Sequence, residues 1–100
     1  MAKRPSNPIT PARIDQVWEK GQPIRGKDPD LYRSDAYGNE LYKPSLGKHG
    51  EKSWEIDHIR PVAKGGSDNL RNRQPLQTGT NREKGDSYPF KPGSARQRGG

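Results

Sequence analysis

Hydrophobic residues near the start of the chain recur with helical spacing. Three of them lie at positions i, i+3 and i+4, which form one face of an α-helix: Ile14, Val17 and Trp18. Thr10 followed by Pro11 is typical of a helix start, because threonine caps the first turn and proline fits the first helical position. Gly21 is a suitable stop. The pattern predicts a helix over about residues 11–20 with Trp18 as a core anchor.

The following segment, residues 21–38, is interrupted repeatedly by glycine and proline, so we expect it to be mostly loop. It also holds three aspartates that suggest a calcium-binding loop: Asp28, Asp30 and Asp35. The spacing does not fit, because Tyr32 stands where the calcium-loop pattern requires Asp or Asn. We therefore interpret these aspartates as solvated loop residues.

The second half of the chain alternates large apolar and polar residues over 54–59, which is typical of a half-buried strand. This alternation places Trp54 and Ile56 on one face and Glu55 and Asp57 on the other.

Shorter elements surround this strand. We expect a short strand at 40–42 after a turn, a polar loop over 44–53, a short returning strand at 75–77 and a helix over 78–84. Gly85 is placed to end that helix.

Composition limits the kinds of protein this chain can be. Only 25% of its 100 residues are hydrophobic, so a large buried core is excluded. The absence of cysteine excludes disulfides and thiolate zinc sites. A net charge of +7 favours a polyanionic partner. No apolar run is long enough to cross a bilayer, and no signal peptide is evident, so we expect a cytoplasmic protein without membrane association.

The most informative segment runs from Trp54 to Asp86. It contains a set of residues with defined spacing: Asp57-His58-Ile59-Arg60-Pro61, Gly65-Gly66, Asn72, Asn81 and Lys84. This set resembles the HNH (ββα-metal) nuclease motif, in the form found in small stand-alone bacterial and phage proteins. Many relatives have histidine where this chain has Asn81, so the chain resembles an H-N-N variant.

The resemblance implies an α+β fold, in which a two-stranded hairpin bridged by a long loop and followed by a helix surrounds one metal ion. We expect the nuclease domain to span residues 10–88, with the ββα-metal core at about 53–86. The flanking residues 1–9 and 89–100 are expected to form a flexible basic arm and a disordered basic tail.

The resemblance also assigns expected roles to residues. His58 is the general base, because imidazole changes charge near neutral pH. Asp57 and Asn81 are the metal ligands, and since both donate oxygen, Mg²⁺ or Mn²⁺ is favoured over Zn²⁺. Asn72 holds the loop that supports His58. Catalytic assistance from Asn72, Asn81 and Lys84 is expected, and phosphate contacts are expected from three basic residues: Arg60, Arg82 and Lys84.

Together these features predict a metal-dependent endonuclease acting on DNA, with RNA a less favoured substrate. Two alternatives stay open: a non-catalytic nucleic-acid-binding module on the same fold, and a basic RNA-binding protein. We expect no separate DNA-reading domain in 100 residues, so strong sequence specificity is expected only with a protein partner, which would supply targeting or inhibition. The sequence leaves the oligomeric state undecided.

Overall fold

The structure is a computed structural model that describes residues 9–91, and these residues contain two α-helices and two antiparallel sheets. The elements are α1 (Pro11–Trp18), β1 (Gln22–Pro23), β2 (Tyr32–Ser34), β3 (Glu40–Tyr42), β4 (Trp54–His58), β5 (Arg73–Gln77) and α2 (Thr78–Lys84). Strands β1, β2 and β3 form one sheet in that order, and β4 pairs with β5 in the other. The predicted α+β class is confirmed.

Most of the predicted basic arm (1–9) and tail (89–100) lies outside the described residues. The proposed domain boundaries therefore stay predictions.

Helix α1 begins as the sequence predicts. The Thr10 side chain accepts a hydrogen bond from the Arg13 backbone N–H at 3.2 Å, and proline occupies the first turn. The helix ends at Trp18, two residues before the predicted end. Val17 and Trp18 are buried, so the apolar face predicted from the spacing is the face that packs.

Strands β1 and β2 lie in the segment expected to be mostly loop, and that expectation is wrong for these residues. They are two and three residues long, too short for an alternating pattern to emerge among the glycines and prolines. Gly21 permits the close approach of β1 and β2 because it has no side chain. A Cβ at this position would lie only 3.0 Å from the Arg33 Cβ and 3.1 Å from the Ser34 carbonyl oxygen.

Asp35 is not solvated, and the interpretation of it as a loop acid in water is wrong: the residue is 2% exposed. Its carboxylate accepts hydrogen bonds from the backbone N–H groups of Tyr37 (3.0 Å), Asn39 (2.9 Å) and Gln77 (3.0 Å). The Asn39 side chain also donates to the Thr80 hydroxyl at 3.2 Å. Asp35 thus ties the β2–β3 turn to the junction of β5 and α2, through partners too distant in sequence for spacing to reveal.

The hydrophobic core is one small cluster centred on two indole rings. Its buried members are Val17, Trp18, Leu41 and Trp54. The rings of Trp18 and Trp54 lie with centroids 5.1 Å apart and planes tilted by 48°. Each indole N–H donates to a backbone carbonyl, of Pro29 for Trp18 and of Lys43 for Trp54. The core therefore joins α1, β3 and β4, and Trp18 is part of it, as predicted from the sequence.

Strands β4 and β5 form the hairpin that the resemblance predicts, with Trp54 opposite Gln77 and His58 opposite Arg73. Helix α2 follows β5 directly and contacts both strands. The predicted helix over 78–84 is confirmed, and the returning strand begins two residues earlier than predicted. Because α2 crosses the polar face of β4, Asp57 on that face is buried, and the strand is covered on both sides.

We expect Asp35→Ala to lower the free energy of unfolding by about 2–4 kcal/mol, because several buried amide donors lose a charged acceptor. Urea denaturation of the purified protein measures this. Asp30→Ala is the matched control, since Asp30 is an exposed aspartate of the preceding loop, and it should change the value by less than about 0.5 kcal/mol. Equal effects of the two substitutions would contradict the structural role of Asp35.

Candidate active site

The end of β4 and the face of α2 enclose a cleft of about 260 Å³. Asp57 and His58 line it from the strand, and Asn81 and Lys84 line it from the helix. Neighbouring residues within a strand point to opposite faces, but β4 ends at His58, and both side chains reach the same cleft. These four of the motif residues therefore converge in space.

Asp57 is 7% exposed, and both of its carboxylate oxygens accept hydrogen bonds. Gln74, opposite Asp57 in the hairpin, donates from its side-chain amide at 2.9 Å. Lys84 donates from Nζ to the other oxygen at 3.2 Å and also to the His58 carbonyl oxygen at 2.9 Å. The ammonium group therefore compensates the charge of a carboxylate that would otherwise be costly to bury.

Lys84 lies inside the protein and is 3% exposed. Its Nζ forms an ion pair with the Asp57 carboxylate, whereas contact with a phosphate would require the ammonium group to lie at the surface of the cleft. The structure thus brings Lys84 into the site but in the position of a counter-ion to Asp57.

A further polar contact lies behind Asp57. Gln74 also hydrogen-bonds the side chain of Tyr37. Burial raises the pKa of the Tyr37 phenol above its ordinary value. The hydrogen bond from Gln74 lowers that pKa in part, and the negative charges of Asp57 and Asp35 raise it further. Gln74 therefore positions Asp57 from the strand side while Lys84 holds it from the helix side.

His58 forms a close side-chain contact outside the motif. Its Nε2 lies 2.7 Å from Oδ1 of Asp68, in the loop that connects β4 and β5. The guanidinium of Arg73 lies 3.5 Å from the same oxygen. The imidazole is therefore held at one nitrogen, and its ring is also part of the lining of the cleft.

Asn72 holds the connecting loop closed. Its side-chain oxygen accepts from the Arg60 N–H at 2.9 Å, and its Nδ2 donates to the carbonyl oxygens of Arg60 (3.0 Å) and Ser67 (2.7 Å). The loop packs backbone against backbone at Gly66, where a Cβ would lie 1.7 Å from the Arg60 carbonyl oxygen. Asn72 is not among the residues lining the cleft, which is the geometry expected of a supporting residue.

Asn81 is oriented by a carboxylate. Its Nδ2 donates to Glu55 Oε1 at 2.6 Å, which leaves the amide oxygen for another partner. Residues 9–91 contain no group of three or more His, Cys, Asp or Glu side chains suited to hold a metal. The Asp57 carboxylate and the Asn81 amide oxygen are hard donors that fit an ion keeping several water ligands, as Mg²⁺ does.

The two arginines expected to contact phosphate are both exposed. Arg82 has a side-chain exposure of 61% and lies 3.9 Å from Glu55. Arg60 donates from Nε to the Lys64 carbonyl oxygen at 2.8 Å, and its guanidinium lies 5.7 Å from the centroid of the Tyr88 ring. Both guanidinium groups are therefore accessible to solvent and keep hydrogen-bond donors for another partner.

The sequence model of the HNH endonuclease family matches residues 35–90. This match covers more than half of the chain and includes β4, the connecting loop, β5 and α2. The chain belongs to the HNH endonuclease family. No curated protein and no solved structure matches it. In residues 9–91 of this HNH protein, none of the helices is long and apolar enough to cross a membrane.

Three residues of the HNH site were not assigned a role from the sequence: Glu55, Asp68 and Gln74. The alternation over 54–59 does place Glu55 on the face of Asp57, which is the one signal available for it. Gln74 meets Asp57 through strand register, and Asp68 meets His58 through the path of a loop. Neither register nor loop path can be read from spacing.

A larger cleft of about 670 Å³ lies between the β2–β3 turn and the start of α2. Its lining includes Glu40, Glu51 and Glu83 but no histidine among the described residues. Hydrogen bonds from Lys27 and Lys52 hold the pKa of Glu40 below its usual range. The smaller cleft holds the motif residues of the HNH family, so we assign the candidate active site there.

We expect Asn72→Ala to lower nuclease activity while leaving metal affinity nearly unchanged, because Asn72 supports the loop and does not line the cleft. Plasmid cleavage and calorimetric titration with Mn²⁺ measure the two effects. Asn69→Ala serves as the matched control, since Asn69 is an exposed asparagine of the same loop. A loss of Mn²⁺ binding in Asn72→Ala would instead make Asn72 a metal ligand.

Proposed function

We propose that this HNH protein is a metal-dependent endonuclease that hydrolyses phosphodiester bonds of DNA, with His58 as the general base. The observation that supports this most is the convergence of Asp57, His58 and Asn81 on one cleft in a chain of this family. A base and two oxygen ligands are the groups that hydrolysis of a phosphodiester requires.

In the proposed reaction, a water molecule in the cleft transfers a proton to the His58 imidazole. The resulting hydroxide attacks phosphorus, the bond from phosphorus to the leaving oxygen breaks, and that oxygen takes a proton from solvent. His58 returns its proton to solvent before the next cycle. The imidazole suits this role because it lines the cleft and is 28% exposed.

Asp57 and Asn81 would hold one divalent ion, with Mg²⁺ or Mn²⁺ favoured over Zn²⁺. When bound, such an ion supplies positive charge that stabilises the transition state at phosphorus. Glu55 keeps the Asn81 amide oriented, and Gln74 keeps the Asp57 carboxylate oriented. We propose that Lys84 contributes by offsetting the charge of Asp57, and that it reaches phosphate only if it leaves that position.

Arg60 and Arg82 would bind backbone phosphates on either side of the scissile bond. The net charge of +7 favours this. The basic flanks, residues 1–9 and 89–100, would add affinity without sequence specificity. We also propose that a protein partner directs this nuclease to its DNA target or inhibits its cleavage.

We expect His58→Ala to reduce cleavage of supercoiled plasmid about 10²–10⁴-fold, the usual contribution of a general base. Affinity for DNA should be nearly unchanged, because it depends mainly on Lys and Arg contacts to phosphate. Nicking assays and fluorescence anisotropy with a labelled duplex measure the two quantities.

His49→Ala is the matched control for this experiment. His49 is an exposed histidine in the loop before β4, and its replacement should leave the rate unchanged. If His58→Ala cuts at the wild-type rate, His58 is not the base. If the wild type binds DNA but never cuts it, the non-catalytic alternative holds, and faster cleavage of a matched RNA would make RNA the substrate.

Removal of metal by a chelator should abolish cleavage, and Mg²⁺ or Mn²⁺ should restore it. Zn²⁺ should restore it poorly, because the site offers oxygen ligands and neither of the two proposed ligands offers nitrogen or sulfur. The measurement is plasmid nicking after chelation and addition of each ion in turn. Full activity in excess chelator would contradict the proposal.

A further inference from the structure

Asp68 contacts the imidazole ring of His58 at its Nε2 atom. Nε2 lies 2.7 Å from Asp68 Oδ1, within the range of a short charge-assisted hydrogen bond. An ionised carboxylate can only accept hydrogen bonds. The hydrogen of this bond therefore belongs to Nε2, and in the neutral ring Nδ1 carries no hydrogen.

Asp68 is itself held by the sheet. Arg73, opposite His58 in the hairpin, places its guanidinium 3.5 Å from the same carboxylate oxygen and donates from Nε to the Asp68 carbonyl oxygen at 3.1 Å. The Arg73 carbonyl oxygen accepts from Lys20 Nζ at 2.6 Å. The carboxylate is thus fixed relative to the strand that carries His58.

Residues other than Asp68 also close the loop in which it lies. Asn72 already holds that loop through its bonds to Arg60 and Ser67, and Gly66 packs against the Arg60 backbone. The Asp68 carboxylate instead points to the imidazole, with a side-chain exposure of 35%. This placement favours a role that acts through His58.

We infer that Asp68 is a positioning residue for catalysis, which fixes the Nε2–H tautomer of His58 and so makes Nδ1 the atom that accepts the proton from water. This inference rests on the proposed role of His58 as general base. Loss of such a partner of a metal-bound histidine typically costs about 10–100-fold in activity, and we expect a loss of the same order for His58. Asp68 touches neither water nor phosphate in this scheme.

Asp68→Ala should lower kcat about 10–100-fold and leave KM nearly unchanged, because the binding groups are intact while the base is misaligned. Asp68→Asn should lose less than Asp68→Ala. The Asn oxygen can occupy the position between Arg73 and Nε2 and still accept the hydrogen bond. Asp30→Ala removes the same charge from a distant exposed loop and should keep wild-type kinetics.

Nitrogen-15 NMR of histidine-labelled protein tests the tautomer without relying on activity. At alkaline pH, where free imidazole is neutral, Nε2 of His58 should give the signal of a protonated nitrogen and Nδ1 that of an unprotonated one. Asp68→Ala should show a mixture of both tautomers, and Asp68→Asn should keep the wild-type form. The exposed His49 is the internal reference, and Asp68→Ser replaces Asp68→Ala if the alanine variant does not fold.

The outcomes separate the two hypotheses. If the wild type cuts DNA, His58→Ala does not, and Asp68→Ala retains both wild-type kcat and the Nε2–H tautomer, the positioning role is wrong and the proposed function stands. If His58→Ala cuts like the wild type, the proposed function fails, and with it the catalytic role of Asp68. A mixed tautomer together with a lower kcat in Asp68→Ala supports the inference.

Discussion

The contact between the rings of Trp18 and Trp54 joins the two parts of this domain. One indole comes from α1 and the other from the first residue of β4. Only a quarter of the residues are hydrophobic, and this pair forms the main buried apolar cluster together with its neighbours Val17 and Leu41. The start of β4 is fixed there, and the motif residues at its end take their position from that anchor.

Polar contacts replace apolar packing on the other face of β4. Asp57 and Lys84 form a buried pair beneath α2, which the half-buried Gln74 joins from β5, and Asp35 forms a second buried group at the junction of β5 and α2. Buried charges are tolerated because each carboxylate meets several donors. In consequence, the groups that hold α2 against the sheet are partly the groups of the candidate active site, and the same side chains serve both stability and the proposed activity.

Much of the catalytic half was predictable from the sequence because its signals are local. The alternation around Trp54 and Ile56 indicates β4, and residues 78–84 followed by Gly85 indicate α2. The resemblance to the HNH motif implied which residues would meet, and Asp57, His58, Asn81 and Lys84 do line one cleft.

The features that could not be predicted depend on contacts between distant residues. In the sequence, Asp35 has the pattern of a solvated loop acid, and only the fold shows that it accepts a hydrogen bond from the Gln77 N–H. Lys84 likewise has the pattern of a surface lysine, and only the fold shows that it pairs with Asp57. Strands β1 and β2 are too short to produce a periodic signal, and their pairing depends on a close approach at Gly21. Asp68 meets His58 because the loop curves back, which no residue spacing encodes.

The tight closure of the connecting loop at Gly66 has a consequence for how such a domain can diversify. A methyl group at this position would overlap the Arg60 backbone, so no other amino acid fits without opening the loop that carries Asp68. Val62 and Ala63 of the same loop are exposed and line the cleft. The side chains at these two positions can therefore be exchanged without disturbing the backbone contact at Gly66, whereas a side chain at Gly66 itself would displace the loop.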